Sequence, residues 1–174
     1  DKGLVYLPGD TTLTYYSGLA AIQNKDYKSA IDKYKLLIPE KNFSNHKSVL
    51  VDLPKLYLSA LDTASALEYA SIAAKEYPTD NAAAVQNIEL NLIAGNEKKI
   101  VTDIESQLAK DPTNKTLYYY LGIARSATKE TDKALEAYKK AIELDPNYFE
   151  ANTNAAVTIM NLVREDINKA NKDR

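Results

Sequence analysis

One histidine, His46, and no cysteine leave the chain little with which to build a transition-metal centre or an activated nucleophile. His46 stands in "NFSNHKS" with no second imidazole or thiol anywhere in the chain, and reads as a solvated connector residue. Carboxylates such as Glu105, Glu136 and Glu143 recur at spacings that suit ion pairs with lysines on solvated helix faces, and nothing sets two of them apart as an acid and base. The five glycines are dispersed, so there is no phosphate-cradling loop, and Lys98, Lys99, Lys139 and Lys140 read as solubilising charges. These residues argue for a protein that is not an enzyme and holds no metal or cofactor. Tyrosine remains: 13 of them, with Tyr118, Tyr119 and Tyr120 consecutive in "LYYYLGIA". A ring that packs and a hydroxyl that stays wet offer the chemistry of a binding surface.

Helices must position those rings. Alanine and leucine abound while only 5 glycines and 6 prolines interrupt 174 residues, which favours an all-α chain. The formal net charge of −2 is spread over both signs without a basic tract, so nucleic acid and anionic membrane surfaces are not expected partners. No apolar run approaches the roughly 20 residues that span a bilayer, so no membrane insertion is expected of this segment.

The prolines reveal an internal repeat. Pro78, Pro112 and Pro146 stand 34 residues apart, the last two in the similar settings "KDPTNKTLYYYLG" and "LDPNYFEANTNAA". Each period holds two helical patterns. In the last, Tyr118, Leu121, Gly122 and Arg125 share a stripe, followed by Ala134, Tyr138 and Ala141 on another. In the first, Tyr15, Gly18 and Ala21 precede Ala30, Tyr34 and Leu37, and Pro8 precedes Gly18 as Pro112 precedes Gly122. Asp26, Asp62 and Asn96 hold equivalent turn positions and are predicted to cap the second helices. Pro54 falls inside a first helix and predicts a kink, or a late start capped by Asp52.

"YYYLGIARSATKETDKALEAYKKAIELDPNY" resembles a tetratricopeptide repeat through Leu121, Gly122, Ala134, Tyr138, Ala141 and Pro146. "YYSGLAAIQNKDYKSAIDKYKLLI" is similar through Gly18, Tyr27, Ala30 and Tyr34. The middle units depart from the pattern, with Pro54 and Ile88 at the glycine position. The resemblance implies a right-handed superhelical stack of antiparallel helical hairpins, with repeats at about 11–44, 47–80, 81–114 and 115–148 and a terminal helix at 149–171. Residues 1–10 read as the remnant of a preceding repeat in a longer array. The terminal segment is similar to tetratricopeptide proteins exported by bacteria, which implies a periplasmic or cell-envelope location, the cytoplasm being the alternative.

In that geometry the first helix of each pair lines a concave face. Side chains about 100° apart then place Tyr118 in the core and turn Tyr119 and Tyr120 to the groove. The groove candidates are Tyr15, Tyr16, Leu19 and Ile22, then Lys55, then Val85, Gln86 and Glu89, then Tyr119, Tyr120 and Ile123, expected to form one apolar, tyrosine-rich strip. The function implied is a protein-interaction scaffold that docks a peptide or helix in this groove. The alternative is an assembly component whose groove is filled by its own flanks or a second copy. Positions from which related domains grip an acidic chaperone tail hold Tyr15, Leu19, Asp52, Ala82 and Gln86 here, so that partner is not expected.

Overall fold

The computed structural model describes residues 9–172. Among them lie nine helices and no strand: α1 Thr11–Gln23, α2 Tyr27–Leu37, α3 His46–Ser59, α4 Thr63–Glu76, α5 Asn81–Ile93, α6 Glu97–Leu108, α7 Lys115–Ala127, α8 Thr131–Leu144 and α9 Phe149–Lys172. The fold is all-α, with helix ends that follow the repeat frame. The apolar "GLVYLP" segment lies outside the described residues. The chain divides into two compact units, one reaching to Leu90 and the other beginning at Asn91.

In the first unit α1 packs on α2, α2 on α3 and α3 on α4. Their shared core includes Ala30, Tyr34, Leu37, Leu50, Leu53, Ala66 and Ala70. In the second unit α6 packs on α7, α7 on α8, and α9 on both α8 and α7. Its buried residues include Ile100, Ile104, Leu117, Ala134, Tyr138 and Ala141.

The hairpin turns are built alike. Asp26 N–H donates to Ala21 O at 2.9 Å, Asp62 to Tyr57 at 2.8 Å, Asn96 to Asn91 at 2.9 Å and Glu130 to Arg125 at 2.9 Å. Each closes the preceding helix by a six-to-one bond, which requires one left-handed residue just before the donor. Those residues are Lys25, Leu61 and Lys129, with φ of 57°, 62° and 62°, and Gly95 at 75°. Three of the four therefore bear a side chain in a conformation that favours glycine. The expected caps hold at Asp26 and Asp62, which accept from Ser29 N–H at 3.1 Å and Ser65 N–H at 3.0 Å. Asn96 departs from expectation: it makes no side-chain cap bond, and its amide reaches Asn91 Oδ1 at 3.2 Å.

Close helix crossings explain the signature residues. A Cβ added to Gly18 would stand 2.6 Å from Tyr34 Cε1, and one added to Gly122 would collide with the Tyr138 ring in the same way. Small meets large at the crossing, as dense packing demands. The second hairpin uses another solution: Ala70 stands where Tyr34 and Tyr138 stand, and Pro54 takes the glycine position, both fully buried. A small opposite residue makes room for the pyrrolidine ring. Helix α3 runs from His46 to Ser59 with Pro54 inside it, so the predicted late start at Asp52 is wrong and Asn45 occupies the N-cap. Proline offers no N–H to the Leu50 carbonyl. Helix continuity instead follows from packing, since Leu50, Leu53, Leu56 and Tyr57 are all buried around it.

Candidate binding surface

Helix α1 begins at Asp10, whose carboxylate accepts the Leu13 N–H at 2.8 Å and fixes the direction of the rings that follow. Tyr15 is half-buried and stacks on buried Tyr34, with ring centres 5.8 Å apart and planes within 10°. Phe43, from the α2–α3 connection, meets Tyr15 edge-on at 5.7 Å. Tyr16 meets the same ring edge-on at 5.7 Å and stays 60% exposed. The result is a ladder from the core to solvent: Tyr34, Tyr15, Tyr16. Leu19 and Ile22 continue the α1 face, half-buried.

Asp52, at the equivalent position of α3, is half-buried and pairs with Lys55 Nζ at 3.3 Å. Burial first, and the Asp52 charge second, push the Tyr15 hydroxyl above its ordinary pKa. On α5, Val85 and Gln86 are half-buried and Glu89 exposed. Two side-chain atoms hidden from solvent find no hydrogen-bond partner among the described residues: the Tyr34 hydroxyl and Gln86 Oε1. Such atoms cost on the order of 1 to 3 kcal/mol each unless something satisfies them.

In the second unit the three consecutive tyrosines are all half-buried, and their roles differ from those expected. Leu117 fills the core, whereas Tyr118 lines a surface cavity with Leu121, Arg125, Glu105, Lys140 and Glu143. Tyr119 is the ring set against the hairpin crossing, 6.4 Å from Tyr138, 5.3 Å from Tyr148 and 5.1 Å from Tyr120. It occupies the place that Tyr15 holds beside Tyr34. Helical spacing admits Leu117 or Tyr118 as the inward residue, and burial favours leucine, which has no hydroxyl to satisfy. Tyr120 and Ile123 continue the α7 face, half-buried. Lys115 stands 5.3 Å above the Tyr148 ring and pairs with Asp145.

Two polar arrangements were not legible in the spacing. Arg125, largely buried, bonds both Glu105 on α6 and Glu130 in the α7–α8 turn. Lys133 at 2.7 Å, Thr128 at 2.9 Å and Arg125 hold the Glu130 carboxyl down at about 2. His46, expected in solvent, is buried: Nε2 donates to the Ile38 carbonyl at 2.9 Å, and Nδ1 shares a hydrogen bond with the Tyr77 hydroxyl at 2.6 Å with Glu76 Oε1 3.5 Å away. Both ring nitrogens are spent within the protein, so His46 braces the α2–α3 connection against the end of α4.

The tetratricopeptide-repeat family model matches residues 116–148. That stretch holds Gly122 under Tyr138, with Ala134 and Ala141 buried beside them.

Residues 116–148 form a tetratricopeptide repeat.

The fold recurs in solved structures. MamA is 23% identical over 93% of this chain and 88% of its own, with a TM-score of 0.69. YrrB, described as a TPR protein with an unusual peptide-binding site, is 22% identical over 88% and 78%, with a TM-score of 0.69. A tetratricopeptide-repeat protein from Parabacteroides merdae ATCC 43184 is 15% identical over 85% of this chain and 58% of its own, with a TM-score of 0.72. At these identities the likeness concerns the fold. No curated protein matches the chain by sequence. The tetratricopeptide signature is fullest where glycine meets tyrosine, at α1–α2 and α7–α8. It fades where Pro54 stands at the glycine position with Ala70 at the tyrosine position, and where Ile88, fully buried, stands at the glycine position.

Proposed function

We propose that this protein is a non-enzymatic interaction scaffold that binds a peptide or helix against the first-helix faces, led in the first unit by Tyr15, Tyr16, Leu19 and Lys55. The observation that carries the reading is Tyr16: a ring 60% exposed yet held edge-on by a second ring that is itself stacked on a buried third. An anchor already fixed in place loses little freedom when a partner covers it, and tyrosines so placed tend to dominate interfaces. Asp52 supplies an acceptor one helix away and Lys55 a donor, so the surface suits a peptide with an apolar or aromatic side chain for Tyr16 and a polar neighbour for the Asp52–Lys55 pair. YrrB, with its peptide-binding site on the same fold, agrees with this use. The α7 face offers Tyr120 and Ile123 at equivalent positions, with Tyr119 as their support.

Selection from a random peptide library tests the proposal. Peptides enriched on the wild-type protein and lost on Tyr16→Ala, with the helical spectrum of the variant unchanged, support it. Equal enrichment on both proteins refutes it.

A further inference from the structure

Helix α9 carries one face too many for its neighbours. Its inner side, with Ala151 buried and Thr158 and Leu162 half-buried, lies toward α8 and α7. A second stripe, about 100° wide at ~100° per residue, holds Phe149, Ala156, Ile159, Met160, Val163 and Ile167. Its large side chains range from 51% exposed at Ile159 to 75% at Phe149, and a shallow groove runs along Ile159, Met160, Val163 and Ile167. The repeat frame explains what the stripe is. Ala156 follows Gly122 by 34 residues, and Gly122 is the small residue covered by the helix after it. The α9 stripe is therefore the face that, one repeat earlier, receives a packed helix, and among the described residues nothing covers it.

We infer that this stripe pairs with the same stripe of a second copy, the two α9 helices antiparallel about a two-fold axis between Ile159 and Met160. The sequence is self-complementary about that point. Ile159 faces Met160 of the other copy at the centre, and in the layers outward Ala156 faces Val163 and Phe149 faces Ala170, so small meets large on either side of an apolar centre. Asn152 falls opposite Ile167 with its amide NH2 already donating to Pro146 O at 3.1 Å and Tyr148 O at 3.0 Å. Arg164, on the flank, stands nine residue steps from its own copy, about 13 Å at ~1.5 Å per residue, so like charges stay apart. A parallel pairing would instead stack each residue on itself, Phe149 on Phe149 and Ala156 on Ala156, and would lose the layer matching. The exposed fractions amount to about 500 Å² of apolar surface per copy, roughly 1,000 Å² in all, near the lower end for a specific association. A weak, self-limiting dimer is the result, formed by α9 residues alone.

Sedimentation equilibrium across about 1 to 200 µM tests this. The expected result is a reversible shift from one chain of 19.3 kDa toward twice that mass, with Val163→Glu and Ile167→Glu each weakening association at least tenfold while circular dichroism stays unchanged. The protein has no cysteine of its own, so single thiols report the geometry even if a charged variant fails to fold. Met160→Cys, next to the axis, should cross-link with itself under mild oxidation, and Phe149→Cys, at opposite ends of the pair, should not. A single-chain mass throughout, folded glutamate variants that associate normally, masses that grow beyond two chains, or cross-linking through Phe149→Cys would overturn the inference.

Discussion

Gly122→Ala is expected to destabilise the second unit even though alanine is the better helix former. Substituting alanine for glycine inside α7 gains about 1 kcal/mol of helix propensity. Against that, the new methyl would sit well inside contact distance of three atoms of the Tyr138 ring. Tyr138 cannot yield freely, since it is 2% exposed and flanked by the Tyr119 ring at 6.4 Å. Overpacking of this kind costs about 1 to 3 kcal/mol, and forcing the ring off its rotamer adds about 1. The net loss is therefore about 1 to 3 kcal/mol, read as a lower urea midpoint for Gly122→Ala by circular dichroism. Tyr138→Leu alone should also destabilise, through the volume it removes. Combined with Gly122→Ala it should cost less than the sum by about 1 kcal/mol or more, because the clash and the cavity occupy the same space. The second hairpin already shows this exchange, with Pro54 opposite Ala70. A Gly122→Ala protein more stable than wild type, or strict additivity of the pair, would refute the reasoning.

Leu61 is 91% exposed at a φ of 62°, so Leu61→Gly should raise the thermal midpoint slightly: relief of about 1 to 2 kcal/mol of left-handed strain outweighs the added chain entropy of about 0.5 to 1. His46→Ala should cost about 2 to 4 kcal/mol in urea unfolding, since it strands the Tyr77 hydroxyl and the Ile38 carbonyl and leaves a cavity. The lowered Glu130 pKa, caused by Lys133, Thr128 and Arg125, fixes a sign for pH dependence. A carboxylate more acidic when folded stabilises fully above its unfolded value of about 4.3 and loses that contribution as pH falls toward about 2. The difference in thermal midpoint between wild type and Glu130→Gln should thus be constant above pH 6 and shrink steadily below pH 4.

The hairpins were legible because proline and glycine punctuate them at a fixed period, and because Asp26 and Asp62 are short acceptors placed just before helical runs. The left-handed turns were not: Lys25, Leu61 and Lys129 carry no glycine to announce them, and tertiary closure of each hairpin imposes the conformation. His46 misled for a related reason. A histidine in a polar connector usually faces water, and only the approach of Tyr77 from more than 30 positions away supplies its partner. In "LYYYLGIA" the inward residue is ambiguous by one position, since Leu117 and Tyr118 both continue an apolar stripe. A signal was present nonetheless: Tyr15 and Tyr119 each stand three residues before the glycine of their hairpin, and both meet the tyrosine that covers it. The edge-on contact of Phe43 with Tyr15, the ring that holds Tyr16, depended on the α2–α3 connection folding back, which no periodicity encodes.

Backbone amide chemical-shift mapping, with a library-selected peptide titrated into the isotopically labelled protein, tests the central claim most directly. The account predicts that the largest changes fall on α1 around Tyr15, Tyr16 and Leu19 and on α3 around Asp52 and Lys55, and that Tyr16→Ala abolishes them. Changes concentrated instead on the exposed faces of α2 and α4, around Leu36 and Glu68, would contradict it.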